Sequence, residues 1–165
     1  MTSHTVTSRE FVDVAADILD NVPALRFRVS GGSMTPWVRD GDILTIGKVD
    51  PGRLRIGDVV FCRRSGGTAL AHRLVRRTTG GSAPFFVTRG DARWDEDEPF
   101  TAGQVLGRVS DVRRGARYWH LDFLQWRVLA LVWVRLFPVP QYVAWLGHRV
   151  LRRAWRWFDR RRLAW

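Results

Sequence analysis

Apolar residues recur at helical spacing near the start of the chain, where Phe11, Val14, Ala15, Ile18 and Leu19 alternate with Asp13, Asp17 and Asp20. That period predicts a short amphipathic helix that ends before Pro23. From Ala24 the period changes. Ala24 to Val29 alternates as a strand does, and short β-branched or aromatic runs return at Ile43 to Ile46, Asp58 to Cys62, Leu70 to Arg76, Phe85 to Thr88 and Gln104 to Val109. Gly, Pro and Asp separate them, with hairpin-type turns at Ser65-Gly66-Gly67 and Gly80-Gly81. Strands at this spacing predict a mainly β fold, a coiled antiparallel sheet or partial barrel.

A third pattern begins beyond residue 112. Leu121 to Phe137 is dense in Leu, Val, Trp and Phe, yet Asp122, Gln125, Arg127 and Arg135 interrupt it, and its longest wholly apolar run is Val128 to Val134. A spanning helix needs about 20 predominantly apolar residues, so this one is too short and too charged to cross a bilayer. After Pro138-Val139-Pro140, a second helical period aligns Val143, Leu146, Val150, Ala154, Trp157 and Phe158, with arginines elsewhere. The chain therefore divides into an N-terminal helix (1–23), a β domain (24–112) and a basic, Trp-rich helical tail (113–165).

Charge sharpens that division. Residues 1–112 hold 15 basic against 14 acidic side chains, whereas 113–165 hold 12 arginines against Asp122 and Asp159, and seven of the nine tryptophans stand at or after Trp119. Arginine on a polar face with Trp and Leu beside it is the composition of a helix lying on an anionic bilayer. The expected partner of residues 121–165 is thus an anionic membrane surface, and the expected location is peripheral at the cell membrane. Two other readings stand beside it: the first tail helix packs on the sheet as core, or the second meets an acidic protein or nucleic acid by charge alone. No recognisable nucleic-acid motif is present, so nucleic acid is not the expected partner. Met1 to Asp20 has neither a basic start nor an uninterrupted apolar stretch, so no secretory signal is expected there.

Candidate chemistry lies in the β region. A single cysteine, Cys62, follows the apolar run Val59-Val60-Phe61 and reads as a core residue, and no pair has metal-ligand spacing; neither a metal nor a cofactor is expected. Ser33 stands in Ser30-Gly31-Gly32-Ser33-Met34-Thr35-Pro36, His72 in Ala71-His72-Arg73-Leu74-Val75, and carboxylates follow at Asp91 and from Asp95 to Glu98. A serine hydroxyl attacks a carbonyl only when a neighbouring base takes its proton, and an imidazole held by a carboxylate suits that task near neutral pH. The glycines before Ser33 give a wall without side chains, along which a substrate backbone can approach. His4, His120 and His148 lie in terminal or basic segments and read as surface residues.

These segments, together with Gly41-Asp42, Gly57-Asp58-Val59-Val60, Thr88-Arg89-Gly90-Asp91 and Val105-Leu106-Gly107-Arg108-Val109, resemble the successive boxes of type I signal peptidases over roughly residues 25 to 112. The nearer resemblance is to the Ser-His-Asp branch found in the endoplasmic reticulum, archaea and some bacteria. The other bacterial branch uses a lysine base; the single lysine here, Lys48, stands beside a Val-Asp-Pro-Gly turn, while His72 occupies the base's place. The resemblance implies a coiled sheet of the signal-peptidase type and a serine endopeptidase that cleaves signal or leader peptides after small residues. Ser33 would be nucleophile, His72 base, and Asp97 the orienting acid by its Gly-Asp-x5-Asp spacing, with Asp95 and Glu96 as competitors. Asp91 would be a supporting carboxylate, and Gly31, Gly32 and Met34 would line the substrate site. In the family a small hydroxyl residue commonly stands two places before the nucleophile and donates to the oxyanion; here that place is Gly31, which leaves the Ser33 amide. The family's usual amino-terminal anchor is not expected either, and the basic tail takes its place in this reading. The alternative implied by these departures is a catalytically weak or inactive binding or regulatory module attached through its tail.

Overall fold

The computed structural model describes residues 8–78 and 84–136. The Gly80-Gly81 turn, the second tail period, His4 and His148 lie outside the described residues. Helix α1 (Ser8–Asn21) is followed by strands β1 (Ala24–Arg28), β2 (Ile43–Gly47), β3 (Val59–Arg63), β4 (Ala69–Thr78), β5 (Phe85–Arg89), β6 (Phe100–Thr101), β7 (Val105–Arg114) and β8 (Arg117–His120), and then by helix α2 (Leu124–Leu136). The strands form one antiparallel sheet in the order β1-β2-β7-β3-β4-β5-β6, with β8 also paired to β7. The mainly β, coiled antiparallel architecture expected from the spacing of the strands is what forms.

The curl follows from burial on both faces of the central strand. Side chains alternate across a strand, and β3 is apolar and buried from Val59 to Cys62. Val59 and Phe61 join one core with Leu44, Ile46, Val109 and Val112, while Val60 and Cys62 join a second with Leu54, Leu74, Phe86 and Phe100. Closing the first core bends the sheet, so that Phe27 of β1 meets Phe61 of β3 with ring centroids 5.4 Å apart. Ala15 and Leu19 of α1 pack into the same core. Fully burying a side chain of the Leu or Phe class contributes about 1.5–3 kcal/mol.

The sheet runs past residue 112. Strand β7 continues to Arg114, turns at Gly115 (φ +57°) and returns as β8, so that β3 and β8 lie one after the other along β7. Arg113, Arg114 and Arg117, which their charge assigns to the tail, are hairpin positions of the sheet. The first tail helix, described over Leu124–Leu136, packs one side on the sheet. Trp126 and Trp133 meet Trp37 edge-on at 6.0 and 5.6 Å, and Ala130 sits over Gly57, where an added Cβ would lie 3.2 Å from the Ala130 methyl. No helix among the described residues is long and apolar enough to cross a membrane.

Candidate active site

Ser33 lies in the loop between β1 and β2. The base of that loop is closed by backbone bonds from Val29 N–H to Asp42 O (2.8 Å) and from Gly41 N–H to Val29 O (2.9 Å). Asp42 is buried and accepts from Arg114 Nε and Nη2 at 2.8 and 2.7 Å and from the Arg39 amide at 2.8 Å. Burial alone pushes the Asp42 carboxyl up, but the Arg114 guanidinium and the Arg39 amide outweigh it and hold it below the usual carboxylate range. Met34 and Val38 anchor the loop in the first core. On its far side the Ser33 carbonyl accepts from the Ala92 amide at 2.8 Å. Gly90 makes that approach possible, because a Cβ there would stand 2.6 Å from the Ser33 carbonyl oxygen.

His72 comes from the middle of β4, opposite Val60 of β3, and is nearly buried. Its Nε2 stands 2.8 Å from Ser33 Oγ, across 39 residues of sequence, and its Nδ1 stands 2.6 Å from Asp97 Oδ2. Thr88 Oγ1 donates to the same carboxylate oxygen at 2.9 Å, and the Asp97 amide donates to the Thr88 carbonyl at 2.8 Å. Burial pushes the Asp97 carboxyl up, yet the hydrogen bond and charge of His72, the Thr88 hydroxyl and the nearby Arg64 outweigh it, so it lies below its ordinary 3.8. An ionised carboxylate only accepts hydrogen bonds. Nδ1 must therefore carry the ring proton, which leaves the Nε2 lone pair for the serine hydroxyl. An imidazole so fixed can take that proton as the oxygen attacks, and the carboxylate then stabilises the imidazolium.

The other carboxylates of the loop after β5 go elsewhere. Asp95 is exposed, and Glu96 pairs with Arg76 at 2.7 Å, so Asp97 alone of the acidic run meets His72. Asp91 is buried, and its two oxygens accept from Arg73 Nε and Nη2 at 2.7 Å each, while Arg73 Nη1 donates to the Gly57 carbonyl at 2.8 Å. Asp91 thus supports the site through Arg73 and not by touching the imidazole. The residue after His72 clamps Asp91, and the residues on either side of Asp91 hold Ser33. One buried ion pair thereby ties the strand of His72 to the loop of Ser33.

A cleft of about 480 Å³ opens beside Ser33 and His72. Phe27, Leu44 and Phe61 form its apolar floor, and Gly31, Met34, Ala69 and Ala71 are among its walls. Gly32 does not line it; its carbonyl instead accepts from the Thr35 amide at 3.1 Å. Gly31 adopts φ +105°, a conformation that side-chain-bearing residues rarely take, and its amide donates to Asp40 at 2.8 Å. That backbone explains why glycine stands at position 31. Among the described residues the Ser33 amide donates to no acceptor.

The remaining candidates are accounted for by packing. Cys62 is buried in the second core, and burial, reinforced by the charge of Asp97 against the weaker pull of Arg64, pushes its thiol up to about 12, so it is no nucleophile. Lys48 pairs with Asp20 of α1, away from Ser33. His120 is exposed on β8 and pairs with Asp111 at 2.5 Å. Sequence reasoning missed Thr88 and Arg73 as parts of the site. The available signals were a hydroxyl ending the apolar strand Phe85 to Thr88 and a charge beside the base in a strand, each of which needs a partner once buried.

No protein-family model matches the chain, and no curated protein matches it.

Proposed function

We propose that this chain is a serine endopeptidase similar to type I signal peptidases of the Ser-His-Asp branch, and that it cuts extended signal or leader peptides after small residues. The observation that carries the reading is the unbroken line from Ser33 Oγ through His72 to Asp97, at 2.8 and 2.6 Å, beside the cleft. Three side chains from separate elements in that order have few uses other than activating the hydroxyl.

The substrate side of the proposal rests on the cleft walls. Among the described residues strand β1 pairs only with β2 and lies at the end of the sheet, so an extended peptide can add to it by main-chain hydrogen bonds while alternate side chains enter the cleft. Ala69, Ala71 and Gly31 line the cleft beside the serine, and the preference for small side chains before the cut is what the resemblance to signal peptidases implies. His72 takes the Ser33 proton as the oxygen attacks the scissile carbonyl, and the Ser33 amide faces the oxyanion. The imidazolium then gives its proton to the leaving amine, and water hydrolyses the acyl-enzyme by the same base. An oxyanion site short of one donor costs about a hundred- to a thousandfold in turnover, so the enzyme is slow.

The test is cleavage of leader-type peptides with alanine before the cut by the wild-type chain and by Ser33→Ala. Cleavage lost in the variant supports the reading; equal cleavage by both, or none by the folded wild type, removes it. A second reading, a binding module that kept the cleft, draws on Gly31, and peptide binding without any turnover in the same assay would favour it.

A further inference from the structure

Helix α2 is amphipathic in the reverse sense to an ordinary surface helix. The side toward the sheet holds Trp126, Arg127, Ala130 and Trp133, whereas the outward arc of about 160° carries Leu124, Val128, Leu129, Leu131, Val132 and Leu136, between 44% and 77% exposed. Only Gln125 and Arg135 interrupt that arc, and Arg135 has no carboxylate partner among the described residues. A contiguous apolar surface of this kind marks a contact with another phase or molecule.

We infer that this outward face of α2 is a docking surface for an anionic lipid bilayer, entered side-on and not crossed. Among the described residues α2 has 13 residues, about 20 Å of helix against a hydrocarbon core of about 30 Å, and no described helix is long enough to cross. Charge selects the kind of surface. Residues 113–165 carry 12 arginines and two aspartates, and seven of those arginines follow Leu136 in sequence. A second copy of the chain would bring the same positive charge against itself, and an acidic protein would have to supply an apolar face as well. Anionic lipid offers negative headgroups above an apolar layer, which matches both properties at once. Docking also fixes the height of the cleft. Trp126 and Trp133 on the inner side of α2 pack against Trp37, four residues after Ser33, so the helix proposed to dock is in direct contact with the Ser33 loop.

The inference stands apart from the proposed chemistry, and its test does not read catalysis. The full chain is floated with vesicles of phosphatidylcholine alone or mixed with phosphatidylglycerol, beside a double variant Val128→Asp and Leu131→Asp. Both positions are exposed, so circular dichroism and thermal unfolding should match wild type. We expect wild type to float with the mixed vesicles and the double variant to partition at least about tenfold more weakly. Wild type that stays at the bottom of the gradient overturns the inference. So does equal flotation of the folded variant, which would assign lipid binding to the arginines alone, and so does a lipid-free dimer that the variant dissociates, which would make the face a contact between copies.

Discussion

Among the described residues two histidine–carboxylate pairs belong to one sheet region, and they differ in what surrounds them. His72 and Asp97 meet at 2.6 Å, and His120 and Asp111 at 2.5 Å. A serine stands beside each. At the first pair, Ser33 Oγ faces the free ring nitrogen; at the second, Ser110 Oγ donates at 2.6 Å to the carboxylate itself. The first imidazole side chain is 9% exposed and borders a cleft, the second 48% exposed on the last strand. A His–Asp contact is thus no mark of catalysis by itself. The atom met by the second ring nitrogen, and the burial of the imidazole, distinguish the two pairs.

Substitution should break this symmetry. His72→Ala is expected to lower peptide cleavage on the order of 10⁴- to 10⁶-fold and Asp97→Asn about 10⁴-fold, whereas His120→Ala and Asp111→Asn should leave turnover unchanged. Steady-state kinetics on a leader-type peptide reads all four. A loss in the His120 variant as large as in the His72 variant would erase the distinction.

The support beneath the first pair should show in stability. Asp91→Asn leaves the buried Arg73 charge without its counter-ion and should destabilise the fold by about 3–5 kcal/mol in urea unfolding. His120, by contrast, is exposed, so removing it from buried Asp111 by His120→Ala should cost about 1 kcal/mol or less.

Thr88→Val is the finest probe. It removes one donor from Asp97 at nearly constant volume and is expected to cost about 1 kcal/mol, equivalent to about fivefold in turnover if felt in the transition state. It also has a pH signature. The Asp97 carboxyl lies below its ordinary 3.8 in the folded chain, so the unfolded chain binds the proton first as pH falls. The stabilisation is complete above that ordinary value and is lost as pH drops through the lowered one. Asp42 acts in the same direction. Acid unfolding followed by fluorescence should therefore occur at a higher pH in Thr88→Val than in wild type; an unchanged midpoint would mean that the hydroxyl does little for the carboxylate.

Much of this arrangement was legible in the residues. Alternation in Ala24 to Val29, Ile43 to Ile46 and Asp58 to Cys62 reports strands because one or both faces must be buried, and the order Ser33, His72, Asp97 carried the chemistry. What stayed hidden depends on contacts across the sequence. Gly90 looks like any turn glycine until the Ser33 carbonyl lies 2.6 Å from where its Cβ would be. The resemblance tells Asp97 from Asp91 by spacing, but the buried Arg73 that takes Asp91 while His72 takes Asp97 shows only once the strands are paired. The β7–β8 hairpin was masked by charge, since Arg113, Arg114 and Arg117 resemble the tail that follows. Helix α2 carries two meanings that an apolar count adds together: tryptophans against Trp37 and aliphatics turned outward.

The account stands or falls on whether Ser33 becomes acylated with His72 as its base. The direct measurement is intact-protein mass and peptide mapping after exposure to a short peptide ester ending in alanine, in wild type, His72→Ala and His120→Ala. The expected result is an acyl adduct on Ser33 in wild type and His120→Ala and none in His72→Ala; an adduct on Ser33 that forms equally well without His72, or no adduct in folded wild type, would contradict it.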